Sequence, residues 1–352
     1  SRWGSEYIYF PAFLSIAIYF FLISRKRIRF LPISYLFFAL SMYTYYPTLL
    51  VTPLFLIFAT IAIVHTSYKR NWQPLVISVL IFFSFCLPLY IGYKTNILLT
   101  RWDNINTTKI DLLSRINQSV NFYFDNFSYE FLFTKGDIDM PNHFITRHSV
   151  RGFGELYLFE LPLLVIGIIF SLMKLRSLGV YLLIWLLLLY PLGSALTNDG
   201  AFATRSIIGI IPLSIFSGAG FYWVLKQIDL LKLYLLKLVL YTFIIVIILT
   251  QSFNYLQNYY NVYPLYSSDF WGWQYGPRDI IKYFLSMSGS YDDLYMSGEF
   301  NGASIFPKFY DPENRCLGKC SVGDFYHQPE IVDPTRKQLF SLSPKYLQSS
   351  PF

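Results

Sequence analysis

The sequence predicts a polytopic α-helical membrane protein with about eight transmembrane helices, an exterior loop domain and a small exterior α/β appendage at the C-terminus. The first observation is a series of eight apolar stretches that can each span a bilayer, whose hydrocarbon core takes about 20 helical residues. The second is the composition, because 54% of the residues are hydrophobic and only 14% are charged. About a quarter of the residues of an ordinary soluble domain are charged.

The basic residues predict the orientation of these helices. Lys and Arg retained in short loops mark the cytoplasmic side of a membrane protein. Here they follow the first, third, fifth and seventh apolar stretches, as Arg25, Lys26, Arg27, Arg29, Lys69, Arg70, Lys174, Arg176, Lys226, Lys232 and Lys237. The long polar segments 93–155 and 253–352 are therefore expected on the exterior side. The net charge is +7, but the basic residues are dispersed among helix ends, so no nucleic-acid partner is predicted.

The chain is predicted to form four consecutive regions. Residues 1–92 hold the first four transmembrane helices, 93–155 the exterior loop, 156–252 the last four helices, and 253–352 the α/β appendage. The predicted helices cover residues 7–24, 31–45, 47–65, 74–92, 156–173, 178–196, 205–225 and 233–251. The stretch 31–65 is too long for one helix, and we expect it to turn at Tyr43–Pro47, because proline suits the first turn of a helix.

The exterior loop is expected to contain an amphipathic helix and a lid. Apolar residues recur at helical spacing over 109–125, which indicates a helix with one apolar face. The stretch 134–154 is rich in glycine and charge. Gly136 and Gly152–Gly154 would allow it to move as a lid, with Phe131–Phe133 anchored in the membrane interface. A solvated surface loop is the alternative interpretation.

The C-terminal appendage is expected to begin with an aromatic run at 270–276. A helix over 278–287, a strand over 293–297 and a helix over 301–310 follow. Cys316 and Cys320 form a C-x₃-C pair, for which an exterior location allows a disulfide. A metal site would need two further ligands, and His327 is the only nearby histidine, so no metal ligands are predicted here.

The sharpest charged cluster lies in the exterior loop, where Asp137 follows Lys135-Gly136 and Arg147 precedes His148. Guanidinium offers a planar fork to phosphate, and glycine lets backbone N–H groups approach it. A solvated loop again remains an alternative interpretation.

Arg205 forms a second candidate site at the exterior end of the seventh apolar stretch. The N-terminal end of a helix already carries partial positive charge, so a cation there requires a nearby anion. Either Asp199 or a bound lipid phosphate can supply that anion. Glu155 and Glu160 flank the start of the fifth stretch, and Glu160 is interpreted as structural rather than catalytic.

Several short motifs carry a resemblance through their order along the chain. They are Phe-x-x-Glu-Phe-Leu-Phe-x-x-Gly-Asp at 127–137, Arg-His at 147–148, Gly-Phe-Gly-x-Leu-Tyr at 152–157, Phe-Glu-Leu-Pro-Leu-Leu at 159–164, Leu-Thr-x-Asp-Gly at 196–200 and Arg-Ser-Ile-x-x-x-Ile-Pro at 205–212. In this order they resemble bacterial membrane glycosyltransferases of the C-type superfamily, nearest to the protein O-mannosyltransferase and aminoarabinose-transferase-like proteins. The resemblance covers most of the chain, although each motif by itself is weak.

The resemblance implies a cell-envelope enzyme of the cytoplasmic (inner) membrane. Such an enzyme takes a sugar from a polyprenyl-phosphate carrier and passes it to a lipid or protein acceptor on the extracytoplasmic side. Asp137, Arg147, His148, Asp199 and Arg205 are the predicted substrate-binding residues. In the family, an acidic residue of the first exterior loop acts as general base or orients the acceptor. The resemblance places that residue ahead of Ser1, so no catalytic residue is assigned, and the chain is expected to be an inactive fragment.

Two other classes of function remain open. A transporter or flippase for lipid-linked sugars would also be polytopic and bind phosphate, but neither an inverted repeat nor broken midplane helices are evident. A structural subunit without chemistry is the third possibility, and the charged exterior loop argues against it. The common hydrolase and ATPase signatures are absent from the sequence. No cofactor is firmly predicted, and dependence on a divalent metal stays open.

Overall fold

The computed structural model describes residues 6–67, 72–95, 111–137, 145–173 and 177–343. Within these ranges the protein is mostly helical, with one small sheet. The chain divides into two compact units. The first unit comprises Ser1–His143 and Arg151–Tyr255, and the second comprises Phe144–Val150 and Leu256–Phe352.

The first unit is built from apolar helices. They are α1 (Tyr9–Ser24), α2 (Leu31–Ser41), α3 (Thr48–Ser67), α4 (Gln73–Lys94), α5 (Leu112–Asp125), α6 (Glu160–Leu172), α7 (Leu178–Leu189), α8 (Leu192–Ala195), α9 (Ile210–Asp229) and α10 (Tyr234–Asn261), the last of which ends in the second unit. A π-helix over Glu130–Lys135 follows α5. The predicted turn between the second and third stretches is confirmed, and there the Thr48 hydroxyl donates to the carbonyl oxygen of Met42 at 3.1 Å.

Among the described residues, five helical segments are long and apolar enough to cross a membrane. They are Thr48–His65, Gln73–Lys94, Leu178–Ala195, Ile207–Asp229 and Tyr234–Asn261. The segments Tyr9–Ser24, Ile28–Ser41 and Glu160–Leu172 are apolar but have only 10–17 residues. Each of the eight predicted stretches thus contains an apolar helix, and five of these have the length to span a bilayer. Of the basic residues that predict the orientation, Lys69, Arg70, Lys174 and Arg176 lie outside the described ranges.

Two clusters of buried side chains hold the first unit together. The larger cluster joins α1, α2, α3, α4 and α7 through residues such as Leu14, Phe38 and Leu186, which are fully buried. The smaller joins the π-helix to α6 and α9 and includes Phe131–Phe133. The expectation that Phe131–Phe133 lie in the membrane interface is therefore wrong. Their rings and aliphatic groups are removed from solvent by protein atoms instead, with 1–6% of each side chain accessible.

The predicted lid is only partly described. Residues 138–144 lie outside the described ranges, while 145–150 belong to the second unit and 151–155 to the first. Lid motion therefore stays a prediction. The predicted amphipathic helix is confirmed as α5, whose first turn is capped by the Asp111 carboxylate accepting from the Ser114 N–H at 3.1 Å.

The second unit contains a parallel sheet. In the described part of this unit the strands are β1 (Asp293–Met296), β2 (Cys320–Val322) and β3 (Gln338–Ser341), in the order β2-β1-β3. Leu294 of β1 is level with Cys320 and Leu339. Its helices are α11 (Tyr263–Ser267), α12 (Pro277–Met287) and α13 (Ile305–Tyr310).

The core of this unit forms where α12 packs on the sheet, with Ile281 and Phe284 against Leu294 and Met296. The helix predicted over 278–287 and the strand predicted over 293–297 are confirmed within one residue. The helix expected over 301–310 forms only from Ile305 onwards, because residues 300–304 form a bend and turns. Cys316 and Cys320 form a disulfide.

Candidate functional site

The π-helix positions a short polar segment of the first unit. The Glu155 N–H donates to the Phe131 carbonyl oxygen at 3.3 Å, and the Leu156 N–H donates to that of Leu132 at 2.8 Å. This close pairing requires glycine at position 154, because a Cβ there would collide with the backbone of Leu132 and Phe133. Glu155 is thereby held against the π-helix.

Asp137 lies two residues beyond the π-helix and is fully buried. Its Oδ1 accepts a hydrogen bond from the Ala203 N–H at 2.7 Å, while its Oδ2 has no hydrogen-bond partner among the described residues. Burial raises the pKa of Asp137 to about 7, although the Ala203 N–H and the nearby Arg205 cation oppose that rise. This carboxyl group therefore titrates near neutral pH.

Glu155 lines a cavity of about 200 Å³ at one end of α7 and α9. The other lining residues are Phe131, Leu132, Leu156, Tyr190, Ala203, Thr204, Ser206, Ile207, Gly209, Ile210 and Leu213. The Glu155 side chain is accessible in this cavity, yet surrounding protein atoms desolvate it and raise its pKa well above the ordinary value. The negative charge of Asp137 raises that pKa further. The two carboxyl groups form a coupled pair that retains a proton more readily than either would alone.

Arg205 is paired with Asp199, as one of the two sequence alternatives predicts. Its Nη2 lies 2.5 Å from Asp199 Oδ2, its Nη1 donates to Thr197 Oγ1 at 2.6 Å, and its guanidinium lies 4.4 Å from the centroid of the Phe202 ring. The arginine side chain is 13% exposed and that of Asp199 is 34% exposed. Arg205 thus provides a largely desolvated cation two residues from Ala203, which binds Asp137.

The loop that carries Asp199 is held by α5 and α8. Asn126, at the end of α5, is buried and its Oδ1 accepts from the Ser194 hydroxyl at 2.9 Å. The Tyr190 hydroxyl donates to the Asn126 carbonyl oxygen. These hydrogen bonds satisfy buried polar groups. Each such group would cost about 1–3 kcal/mol of stability if it were left without a partner.

An apolar groove runs along α5 beside α8. It has a volume of about 480 Å³ and is lined by Leu112, Arg115, Ile116, Ser119, Val120, Tyr123, Phe124, Leu192, Ala195 and Leu196. Leu112, Leu113 and Phe124 are 64–78% exposed. Such an apolar helix face is stable only where lipid or another apolar surface covers it.

Two of the predicted binding residues belong to the second unit. Arg147 Nη1 donates to the carbonyl oxygens of Trp271 and Gly272 at 2.7 and 2.8 Å. His148 follows it in the same turn, where the His148 N–H donates to the Ile145 carbonyl oxygen at 3.4 Å. Asp137, Asp199 and Arg205 are brought together in the first unit. That Arg147 and His148 join them at one phosphate site stays a prediction.

Other predictions concern acidic residues and metal ions. Glu160 is structural, because its Oε1 accepts from the Tyr157 N–H at 3.2 Å ahead of α6. Among the residues that the structure describes, no group of three or more His, Cys, Asp or Glu side chains could hold a metal ion. Glu155 stands out in the sequence, but its electrostatic interaction with Asp137 was not predicted. The hydrogen bonds of Thr197 to Arg205 and of Asn126 to Ser194 were not predicted either. The glycine directly before Glu155 was the available signal for a close backbone approach.

No protein-family model, curated protein or solved structure matches this chain. Its function is therefore inferred from the residues of the site.

Proposed function

We propose that this chain belongs to a membrane glycosyltransferase that moves a sugar from a polyprenyl-phosphate carrier to an exterior acceptor. The observation that supports this proposal best is the coupled carboxyl pair, Asp137 and Glu155, beside a cavity at the end of apolar helices. The pKa of both groups is raised, chiefly by desolvation, and a carboxylate with a raised pKa has a higher affinity for the proton that an acceptor hydroxyl releases.

In the proposed reaction, the oxygen of an acceptor hydroxyl attacks the anomeric carbon of the donor. The bond between that carbon and the phosphate oxygen breaks, and polyprenyl phosphate leaves with the electron pair. The hydroxyl proton passes to the carboxylate of Glu155, which is accessible in the cavity, and Asp137 raises the affinity of Glu155 for that proton.

Arg205 supplies the proposed contact to the donor phosphate. Its guanidinium is largely shielded from water, and phosphate recognition by such a group is strong because the hydrogen bonds are charge-assisted. A phosphate would take the place that the Asp199 carboxylate holds in this structure. Asp199 then keeps the arginine oriented in the absence of donor.

The groove along α5 is the proposed place for the apolar chain of the donor. Its lining is almost entirely apolar, and Arg115 is the charged residue at its margin. The exposed leucines of α5 fit an interfacial helix, which buries its apolar face at the boundary between head groups and acyl chains. We also propose that all eight apolar helices cross the cytoplasmic membrane and that residues 93–155 and 253–352 lie outside.

The proposal is tested by a matched pair of carboxamide substitutions. The full chain, together with any segment that precedes it in its gene, is reconstituted in proteoliposomes with a radiolabelled polyprenyl-phosphate sugar and a membrane extract as the acceptor source. We expect Glu155→Gln to lower label transfer at least 100-fold, the usual lower range for loss of a general base, with donor binding retained. Glu160→Gln is the control, since the Glu160 carboxylate accepts from the Tyr157 N–H ahead of its own helix and does not line the cavity, and it should transfer label at close to the wild-type rate.

The same assay separates the transferase from its alternatives. If Glu155→Gln transfers label as fast as the wild type, the carboxyl pair does not take the proton. If the labelled lipid crosses the bilayer intact and no label reaches an acceptor, the protein is a flippase and the transferase proposal is wrong.

A further inference from the structure

The second unit contains a cavity of about 610 Å³ at the carboxyl ends of β1 and β2. It is lined by Phe270, Trp271, Gly298, Glu299, Val322, Asp324, His327 and Gln328. In sheets of parallel strands, ligands bind at this edge because the loops that follow the strands converge there. The mixed aromatic and polar lining is that of a ligand site rather than of a packing defect.

The aromatic wall of the cavity is held rigidly. Asp269 Oδ1 accepts from the Trp271 N–H at 3.1 Å and from the Thr146 hydroxyl at 2.8 Å. The guanidinium of Arg147 binds the Trp271 carbonyl oxygen, as described above. Trp271 is nevertheless 43% exposed. A large aromatic side chain that remains exposed on an ordered turn loses little entropy when a ligand covers it.

The same turn is fixed to the loop that follows β1. The Phe270 and Phe300 rings lie 4.6 Å apart in an edge-to-face arrangement, and the Asn301 N–H donates to the Phe270 carbonyl oxygen at 3.2 Å. Glu299 directly precedes Phe300. The aromatic turn and the carboxylate of Glu299 therefore line one cavity in a defined arrangement.

The polar wall is ordered as well. Asp324 is buried, its Oδ1 accepts from the Tyr326 N–H at 3.0 Å, and its Oδ2 lies 3.0 Å from Nδ1 of His327. These contacts hold the carboxylate in place and orient the imidazole. Gln328 adds an amide, which has both donors and an acceptor.

We propose that this cavity binds a carbohydrate. Sugars present an apolar C–H face that packs on an aromatic ring and hydroxyl groups that both donate and accept, and this lining offers a partner for each. Two carboxylates disfavour an anionic ligand. An organic cation is less well matched, because Asp324 already accepts from the Tyr326 N–H and lies against the His327 ring, and the glutamine amide contributes donors of its own.

Carbohydrate binding in the second unit is independent of the proposed transfer reaction. The probes are the neutral glycosides methyl α-D-mannopyranoside, methyl β-D-glucopyranoside and methyl N-acetyl-β-D-glucosaminide, measured by saturation-transfer NMR on the full chain in nanodiscs. We expect ring-proton signals from at least one of them. Trp271→Ala and Glu299→Gln should each lower the signals at least about fivefold, because each removes one class of contact.

Tyr275→Ala is the matched control, since Tyr275 belongs to the same aromatic run and is 72% exposed but does not line the cavity. It should keep the wild-type signals. Thermal unfolding identifies any variant that fails to fold, and the near-isosteric Glu299→Gln keeps the test valid if Trp271→Ala unfolds. The proposal is overturned if no glycoside gives a signal, or if Trp271→Ala and Glu299→Gln bind as the wild type does. Binding of ethanolamine without binding of any glycoside would show a cation site instead.

Discussion

At the scale of single residues, burial determines the acidity of the site. Asp137 keeps one oxygen bonded to the Ala203 N–H and the other without a partner among the described atoms. A buried charge is costly, so the protonated form is favoured in the folded protein. The pKa of Glu155 shifts in the same direction, mainly because protein atoms desolvate its carboxyl group and further because of the negative charge of Asp137.

This coupling predicts a pH dependence of stability. The folded pKa of Asp137, about 7, exceeds the ordinary value of 3.8, so the folded state binds the proton more tightly than the unfolded state. The stability contributed by this proton is fully present below about pH 4 and is lost as the pH rises to about 7. We expect the melting temperature of the wild type to fall over this window and that of Asp137→Asn to fall less. Parallel slopes for the two proteins in detergent would contradict the assignment.

The same pair predicts a shift in activity. Removal of the Asp137 charge lowers the pKa of Glu155, so the acidic limb of the pH–rate profile should move to lower pH in Asp137→Asn. The transfer assay provides the measurement. An unchanged acidic limb, in a variant that still transfers label, would show that Glu155 does not sense Asp137.

At the scale of elements, glycine permits the closest helix contact in the first unit. A Cβ at Gly167 of α6 would collide with the Phe216 carbonyl oxygen of α9, and a Cβ at Gly220 would collide with that of Leu163. The two helix backbones therefore touch directly, as small residues allow in membrane proteins. This contact also supports the π-helix, which packs against α6 and α9.

Two glycines of α9 give a matched test. Gly220→Ala should destabilise the folded protein by about 1–3 kcal/mol, because overpacking forces the helices apart. Gly218→Ala should be neutral or stabilising, since, apart from its chain neighbours and its own helix backbone, nothing lies within 4 Å of the position that its new methyl group would take, and alanine favours a helix. Thermal unfolding in detergent compares the two. Equal melting temperatures would mean that the α6–α9 contact is not close in solution.

At the scale of the whole molecule, the proposed topology places the candidate site at the exterior ends of the apolar helices. Asp137, Glu155 and Arg205 all precede or follow apolar segments that end on the side predicted to be exterior. The lipid chain of a donor would contact the apolar groove along α5, and its phosphate would contact the guanidinium of Arg205.

Cysteine-accessibility labelling tests that topology. In a background without Cys86, and with Cys316 and Cys320 joined in their disulfide, Ser290→Cys should react with a membrane-impermeant maleimide added to intact cells, and Ser177→Cys should not. Both serines are exposed in the structure, so folding does not protect either of them. The opposite pattern would reverse the orientation, and the site would then face the cytoplasm.

The sequence by itself determined the features that depend on local pattern. Runs of apolar residues predicted the helices, Pro47 and its neighbours predicted the turn between α2 and α3, and helical spacing predicted α5. These signals extend over one or two dozen residues, which is the range over which hydropathy and turn chemistry act. Five helices of spanning length were predictable for that reason, together with the helix and strand that begin the core of the second unit.

Only the tertiary structure decided which polar residues meet. The π-helix and the glycine before Glu155 let two backbone segments touch, so that Glu155 is held against Phe131, and no periodicity encodes that contact. Arg147 was singled out for its charge, and the fold places its guanidinium against the carbonyl oxygens of a turn more than a hundred residues away, while its binding to phosphate stays a prediction. Residue types indicate which ligands a side chain can bind. The fold determines whether that side chain binds the protein's own backbone or remains accessible to a substrate, because burial and packing between distant segments decide which hydrogen-bond partners it can reach.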